Sequence, residues 1–177
     1  MKGFTLSFVI PPLLLLAACA GRSALPATPE VLMPEGERPV ARVSARGVQI
    51  YECRATKDGP AWVFVAPEAA LFDAMGREAG RHYAGPHWEA PDGSRLLGTV
   101  KARAESPREG AIPWLLLSTR SVGGEGSLAG ITSVQRVNTE GGLAPAGACA
   151  KATIGATQRV PYTADYVLLS NRARKAW

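Results

Sequence analysis

Residues 87–103 read HWEAPDGSRLLGTVKAR, and their centre, Pro91-Asp92-Gly93-Ser94, is a turn written in side-chain chemistry. Proline presets its own φ, aspartate can bond the backbone two residues on, and glycine accepts positive φ without a Cβ penalty. The residues on either side are short, β-branched and aromatic runs. This predicts a hairpin, with one strand over His87–Ala90 and the next over Arg95–Arg103. Reading outward, the same grammar repeats. GVQIYEC (47–53) alternates Val48 and Ile50 with Gln49, Tyr51 and Cys53, and AWVFVAP (61–67) is β-branched and is expected to stop at Pro67. IPWLLLST (112–119) is an unbroken apolar run suited to a buried strand. GITSVQRVNT (130–139) sets Ile131, Ser133, Gln135 and Val137 against Thr132, Val134, Arg136 and Asn138, and ADYVLLS (164–170) closes the series. PEAALFDAMGREAG (67–80) fits either one or two helical turns or another hairpin. No segment has a long amphipathic helical period. The expectation is an all-β chain, a single antiparallel β-sandwich or barrel-like domain.

The chain has 177 residues, 46% hydrophobic and 20% charged, which suits one globular domain with a real core. Its first residues, MKGFTLSFVIPPLLLLAACA, carry one cation, Lys2, and then an apolar run broken by Pro11-Pro12. That is the build of a signal peptide rather than of a lasting membrane helix. Leu16-Ala17-Ala18-Cys19 resembles the lipobox of bacterial lipoproteins. The resemblance implies cleavage before Cys19 and acylation of that cysteine, a stable membrane anchor by the arithmetic of several acyl chains. Ala20, in place of aspartate, points to sorting toward the outer membrane, with the domain in the periplasm. The segments expected are a signal peptide over 1–18, a lipid-anchored Pro-rich tether over 19–39, the β-domain over 40–170 and a basic tail over 171–177. The tether carries prolines at 26, 29, 34 and 39 and would reach about 60 Å if fully extended.

Removing the signal peptide lowers the formal charge of +5 by one. The remaining cations are scattered along the chain, so a nucleic-acid partner is not expected. Cys53 and Cys149 are then two thiols in an oxidising compartment, where a pair becomes a disulfide. Bridging a loop of about a hundred residues removes about 4–5 kcal/mol of unfolded-state freedom in the chain-entropy model. A catalytic cysteine paired with a histidine is the competing reading, without a local signature.

Five short motifs are specific as a set: Gln-Ile-Tyr-x-Cys at 49–53, Ala-Pro-Glu-Ala at 66–69, Gly-Pro-x-Trp-Glu at 85–89, Ile-Pro-Trp-Leu-Leu-Leu at 112–117 and Gln-Arg-Val-x-Thr at 135–139. Together they resemble, over roughly residues 47–170, the family catalogued as domain of unknown function 3455, which occurs in bacterial envelope proteins and secreted fungal proteins. The resemblance implies no reaction and no catalytic residues. Some fungal relatives carry a malate dehydrogenase label, which this chain does not support. Its Gly-rich stretch GGEGSLAG (123–130) departs from GxGxxG and lies between strands.

Both histidines lie in HYAGPHWE (82–89), so His82, His87 and Glu89 are the candidate metal or catalytic residues. Residues five apart point to opposite faces of a strand, and about 140° apart around a helix. Only a bend at Gly85-Pro86 would bring the two imidazoles together. The bland alternative is a hairpin rim with Tyr83 and Trp88 packed inward. GxSxG, SxxK, HExxH and the phosphate-loop motif are all missing from the sequence. A glycosidase-type pair from Glu89, Asp92 and Glu140 has no fixed distance in sequence. Trp62, Trp88, Trp114, Tyr83 and Tyr162 are candidates to line an apolar ligand site, with Arg136 as charge partner. Three readings follow. The first is an envelope binding module for a small molecule or a partner protein, with no cofactor. The second is a metal-dependent envelope enzyme using His82, His87 and Glu89. The third is a structural envelope component with an exposed apolar patch.

Overall fold

The computed structural model describes residues 27–147 and 149–171. Cys19, the signal peptide and the residues after Asn171 lie outside the described residues, as do the expectations placed on them. Eight antiparallel strands follow one another around a closed barrel in chain order. They are β1 (Arg38–Thr56), β2 (Gly59–Phe72), β3 (Glu78–Tyr83), β4 (His87–Glu89), β5 (Arg95–Ala104), β6 (Trp114–Ser121), β7 (Ser133–Gly141) and β8 (Thr157–Ser170). The ring closes where β1 pairs with β8, from Arg38 opposite Ser170 to Glu52 opposite Thr157. Closure removes the free edges that an open sheet would expose.

The PDGS turn links β4 to β5 as expected, and 67–80 forms a hairpin rather than a helix. Pro67 does not end its strand. β2 runs through it to Phe72, with a bulge opposite Ile50 and Tyr51. Proline is tolerated because β3 pairs with β2 only over Ala69–Phe72, so Pro67 lies where β2 has no partner on that side. Gly47 of β1 is required by close approach. A Cβ there would lie 2.1 Å from the Glu68 carbonyl oxygen across the ladder.

The lumen is filled by inward side chains of alternate residues, among them Leu71, Trp88, Leu96, Leu115, Leu117, Val134 and Tyr166. The run 112–117 is apolar throughout because both faces of β6 are covered. Leu115 and Leu117 point into the barrel, while Trp114 and Leu116 pack outside beneath Leu32, together with Val137. Leu32 belongs to a short 3-10 turn, Glu30–Leu32, and is fully buried. Its carbonyl accepts from Gln135 Nε2 at 2.6 Å, and Glu37 accepts from Thr132 and Ser133. The expected tether up to Pro39 is therefore corrected: from Glu30 it is a strap docked on the barrel wall, and β1 begins at Arg38. One apolar side chain in a proline-rich stretch, Leu32, finds a hydrophobic surface to bury against.

Cys53 and Cys149 form a disulfide with a sequence separation of 96 and Cα atoms 5.4 Å apart. It ties the long loop between β7 and β8 to β1. Two further bonds hold that loop: Tyr51 Oη of β1 donates to the Gly142 carbonyl, and Trp62 Nε1 of β2 donates to the Gly147 carbonyl.

Candidate functional site in the barrel lumen

β3 and β4 are short. β3 rises only to Tyr83, turns at Ala84–Pro86 and descends through β4, which pairs with no more than Arg95–Leu97 of β5. Above that turn, residues 59–68 of β2 and 98–104 of β5 have no strand between them. The Gly98 amide donates to the Pro86 carbonyl at 3.0 Å and pins the turn to β5 at the base of this window. Phe64 and Val65 stand on one bank and Val100 on the other, each about half exposed.

The window leads into a cavity of about 420 Å³ inside the barrel, within the usual range for small-molecule sites. Its walls are largely apolar, with Leu115, Leu117 and Pro86 among them. The polar groups are Gln49 from β1, His82 from β3, Arg136 from β7 and Tyr166 from β8, with the Trp88 indole. Gly98 gives that indole its room, since a Cβ there would lie 2.7 Å from Trp88 Cζ3.

The polar groups are unequally satisfied. Gln49, 2% exposed, hydrogen-bonds the Tyr162 phenol, whereas Trp88, 1% exposed, leaves its Nε1 without a partner, as Trp114 does under the strap. An unmet buried donor costs about 1–3 kcal/mol. Arg136 donates through Nε and Nη2 to the Pro113 carbonyl at 3.2 and 2.8 Å. No carboxylate lines the cavity, and Arg136 forms no ion pair among the described residues. The Tyr166 hydroxyl lies 3.3 Å from that of Tyr162. Burial raises the pKa of both phenols, so both stay protonated, and the positive field of Arg136 partly opposes the rise. His82 is stacked on Trp88 at 4.6 Å and tilted against Tyr166 at 4.9 Å. Its Nδ1 donates to the His87 carbonyl at 2.7 Å. Burial brings its pKa down to about 3, and the Arg136 charge acts in the same sense. The imidazole is neutral.

The metal and catalytic candidates do not assemble. His82 pairs across the hairpin with Trp88 and faces inward, whereas Tyr83 pairs with His87 and faces outward. His87 is stacked on Tyr83 at 5.2 Å and its Nδ1 donates to Ala84. Glu89 accepts from Tyr83 at 2.7 Å and from Arg81 at 2.7 Å on that outer face. The expectation that Tyr83 packs inward is corrected by the same pairing. Among the described residues, no three His, Cys, Asp or Glu side chains are grouped to hold a metal. Asp92 is spent on Ser94 and Ser127, and Glu140 pairs with Arg108 beside a separate depression. Of the candidates for a ligand site, Trp88 and the charge partner Arg136 reach the cavity. Tyr162 is buried behind Tyr166, Trp114 lies on the outer wall under the strap, and Trp62 bonds to Gly147. Gln49, Phe64, Val65 and Tyr166 were missed. Gln49 did carry a signal, because the 47–53 alternation sets it on the face of Tyr51 and Cys53.

The model of a family described as "Protein of unknown function (DUF3455)" matches residues 34–170. No curated protein and no solved structure matches the chain.

Proposed function

Because the chain belongs to this family, whose description assigns no reaction, we propose that it is a lipid-anchored envelope protein whose barrel binds a small molecule in its lumen. One observation carries the reading: a largely apolar cavity of about 420 Å³ holds the Arg136 guanidinium, which meets no carboxylate there, beside Trp88, whose Nε1 has no partner. A ligand with an acceptor group meets the Arg136 guanidinium and gains the apolar walls. The anchor reading is supported by the Leu16-Ala17-Ala18-Cys19 motif, and the outer-membrane reading, with the barrel facing the periplasm, by Ala20 after the cysteine.

Native mass spectrometry of the full chain, expressed in a bacterial host and released gently from membranes, tests both halves. The expected spectrum shows a chain lacking residues 1–18 with acyl groups on Cys19, and a non-covalent adduct lost on denaturation. An unacylated mature chain refutes the anchor. A bare barrel that also takes up no small molecule from a membrane extract refutes the lumen site.

A further inference from the structure

We propose that the lumen takes a single-chain monoanionic amphipath, a carboxylate on an apolar tail, with the anion at Arg136 and the tail leaving between β2 and β5. It rests on the lumen being a ligand site and assigns the chemistry of the occupant. The polar groups at the cavity that still have a bond to give are donors, Trp88 Nε1 and the Arg136 guanidinium. Arg136 commits two of its N–H groups to Pro113 and has others to give. A negatively charged acceptor is what a guanidinium with no carboxylate beside it calls for, and hydrogen bonds to charged acceptors are the strong ones.

Charge counting narrows the class. His82 is neutral and donates to a carbonyl, so Arg136 is the one cation among the residues lining the cavity. Its field reaches Tyr51, His82, Tyr162 and Tyr166. One guanidinium balances one negative charge. A dianion would bury a charge without a partner, and a cation would meet repulsion. The walls supply the rest. Leu115 and Leu117 line the interior, and Phe64, Val65 and Val100 stand at the window 48%, 44% and 50% exposed. Apolar residues left in water on both banks of an opening are what a departing tail would cover.

The test uses the full chain in zwitterionic nanodiscs, with empty nanodiscs subtracted and a fluorescent dodecanoate as probe. Unlabelled dodecanoate, dodecanol and dodecyltrimethylammonium compete for it. Dodecanoate is expected to displace the probe at least about tenfold better than dodecanol, with the ammonium weakest. Arg136→Met should abolish that preference and Arg136→Lys should keep part of it, with folding of both checked by circular dichroism. Equal competition by dodecanoate and dodecanol leaves the lumen a binding site and overturns the anion assignment. So does a neutral adduct in the mass spectrum together with no binding of dodecanoate. A folded chain that binds neither the probe nor any adduct overturns both readings.

Discussion

His82 is an imidazole held neutral by its surroundings, and the cost of charging it is readable as pH-dependent stability. Its folded pKa of about 3 lies below the ordinary value of 6.5, so between those limits the unfolded chain binds a proton that the folded chain refuses. The stabilisation is complete above about pH 6.5 and is lost as pH falls. The loss is about 1.4 kcal/mol for each unit of pH below that value. Carboxylates add their own acid sensitivity lower down. Glu89 is held below its usual range by Tyr83 and Arg81, and Asp92 by Ser94 and Ser127. The interval from pH 6.5 to 5 therefore belongs to His82. Urea unfolding of the wild type should weaken across it, while His82→Gln, which keeps a donor for the His87 carbonyl, should stay level. A wild-type midpoint that does not move there would contradict the buried, neutral assignment.

The strap and the strand beneath it form one device. Trp114, Leu116 and Val137 present an apolar stripe on the outside of the barrel, where an uncovered wall would face water. Leu32 seals it from a 3-10 turn, and Gln135 and Glu37 fix the register through the Leu32 carbonyl and the hydroxyls of Thr132 and Ser133. Leu32→Ala should cost about 2–4 kcal/mol, since it opens a cavity at a fully buried site. An unchanged denaturation midpoint would mean that residues 30–37 contribute as a loose tether does. The window is likewise a property of elements. β3 and β4 are too short to reach the top of β2 and β5, and that mismatch leaves the lumen open from the side rather than from one end of the barrel.

At the scale of the molecule, the barrel is closed twice. Hydrogen bonds join β1 to β8, and Cys53–Cys149 joins β1 to the loop that precedes β8. The covalent closure spans a separation of 96 residues, so its loss frees nearly the whole barrel in the unfolded state. A Cys53→Ser, Cys149→Ser double variant should lose about 4–5 kcal/mol. Its denaturation midpoint should match that of wild type measured in reductant. A midpoint insensitive to reductant would show that the bridge adds little beyond the β1–β8 ladder.

Much of this was legible in the residues. The PDGS turn placed β4 and β5, two-residue alternation placed β1 and β7, and the disulfide was expected from the pair Cys53 and Cys149. Whether His82 and His87 converge was left open by a bend at Gly85-Pro86, and the hairpin formed there sets them on opposite faces because His82 pairs with Trp88 and Tyr83 with His87. These are local matters: turn chemistry and strand period act within a few residues. Pro67 misled, because whether a proline breaks a strand depends on whether a neighbour needs its N–H. The strap was hidden too, since a proline-rich stretch reads as a tether until a surface exists for Leu32 to bury against. The lumen was the least legible. Gln49, Trp88, Arg136 and Tyr166 come from four strands, and each is one of many inward positions with ordinary neighbours. The sequence alone determined the β-period, the turns and the staple. Only the closed barrel decided which alternate residues meet, because register around a ring is settled by all eight strands at once.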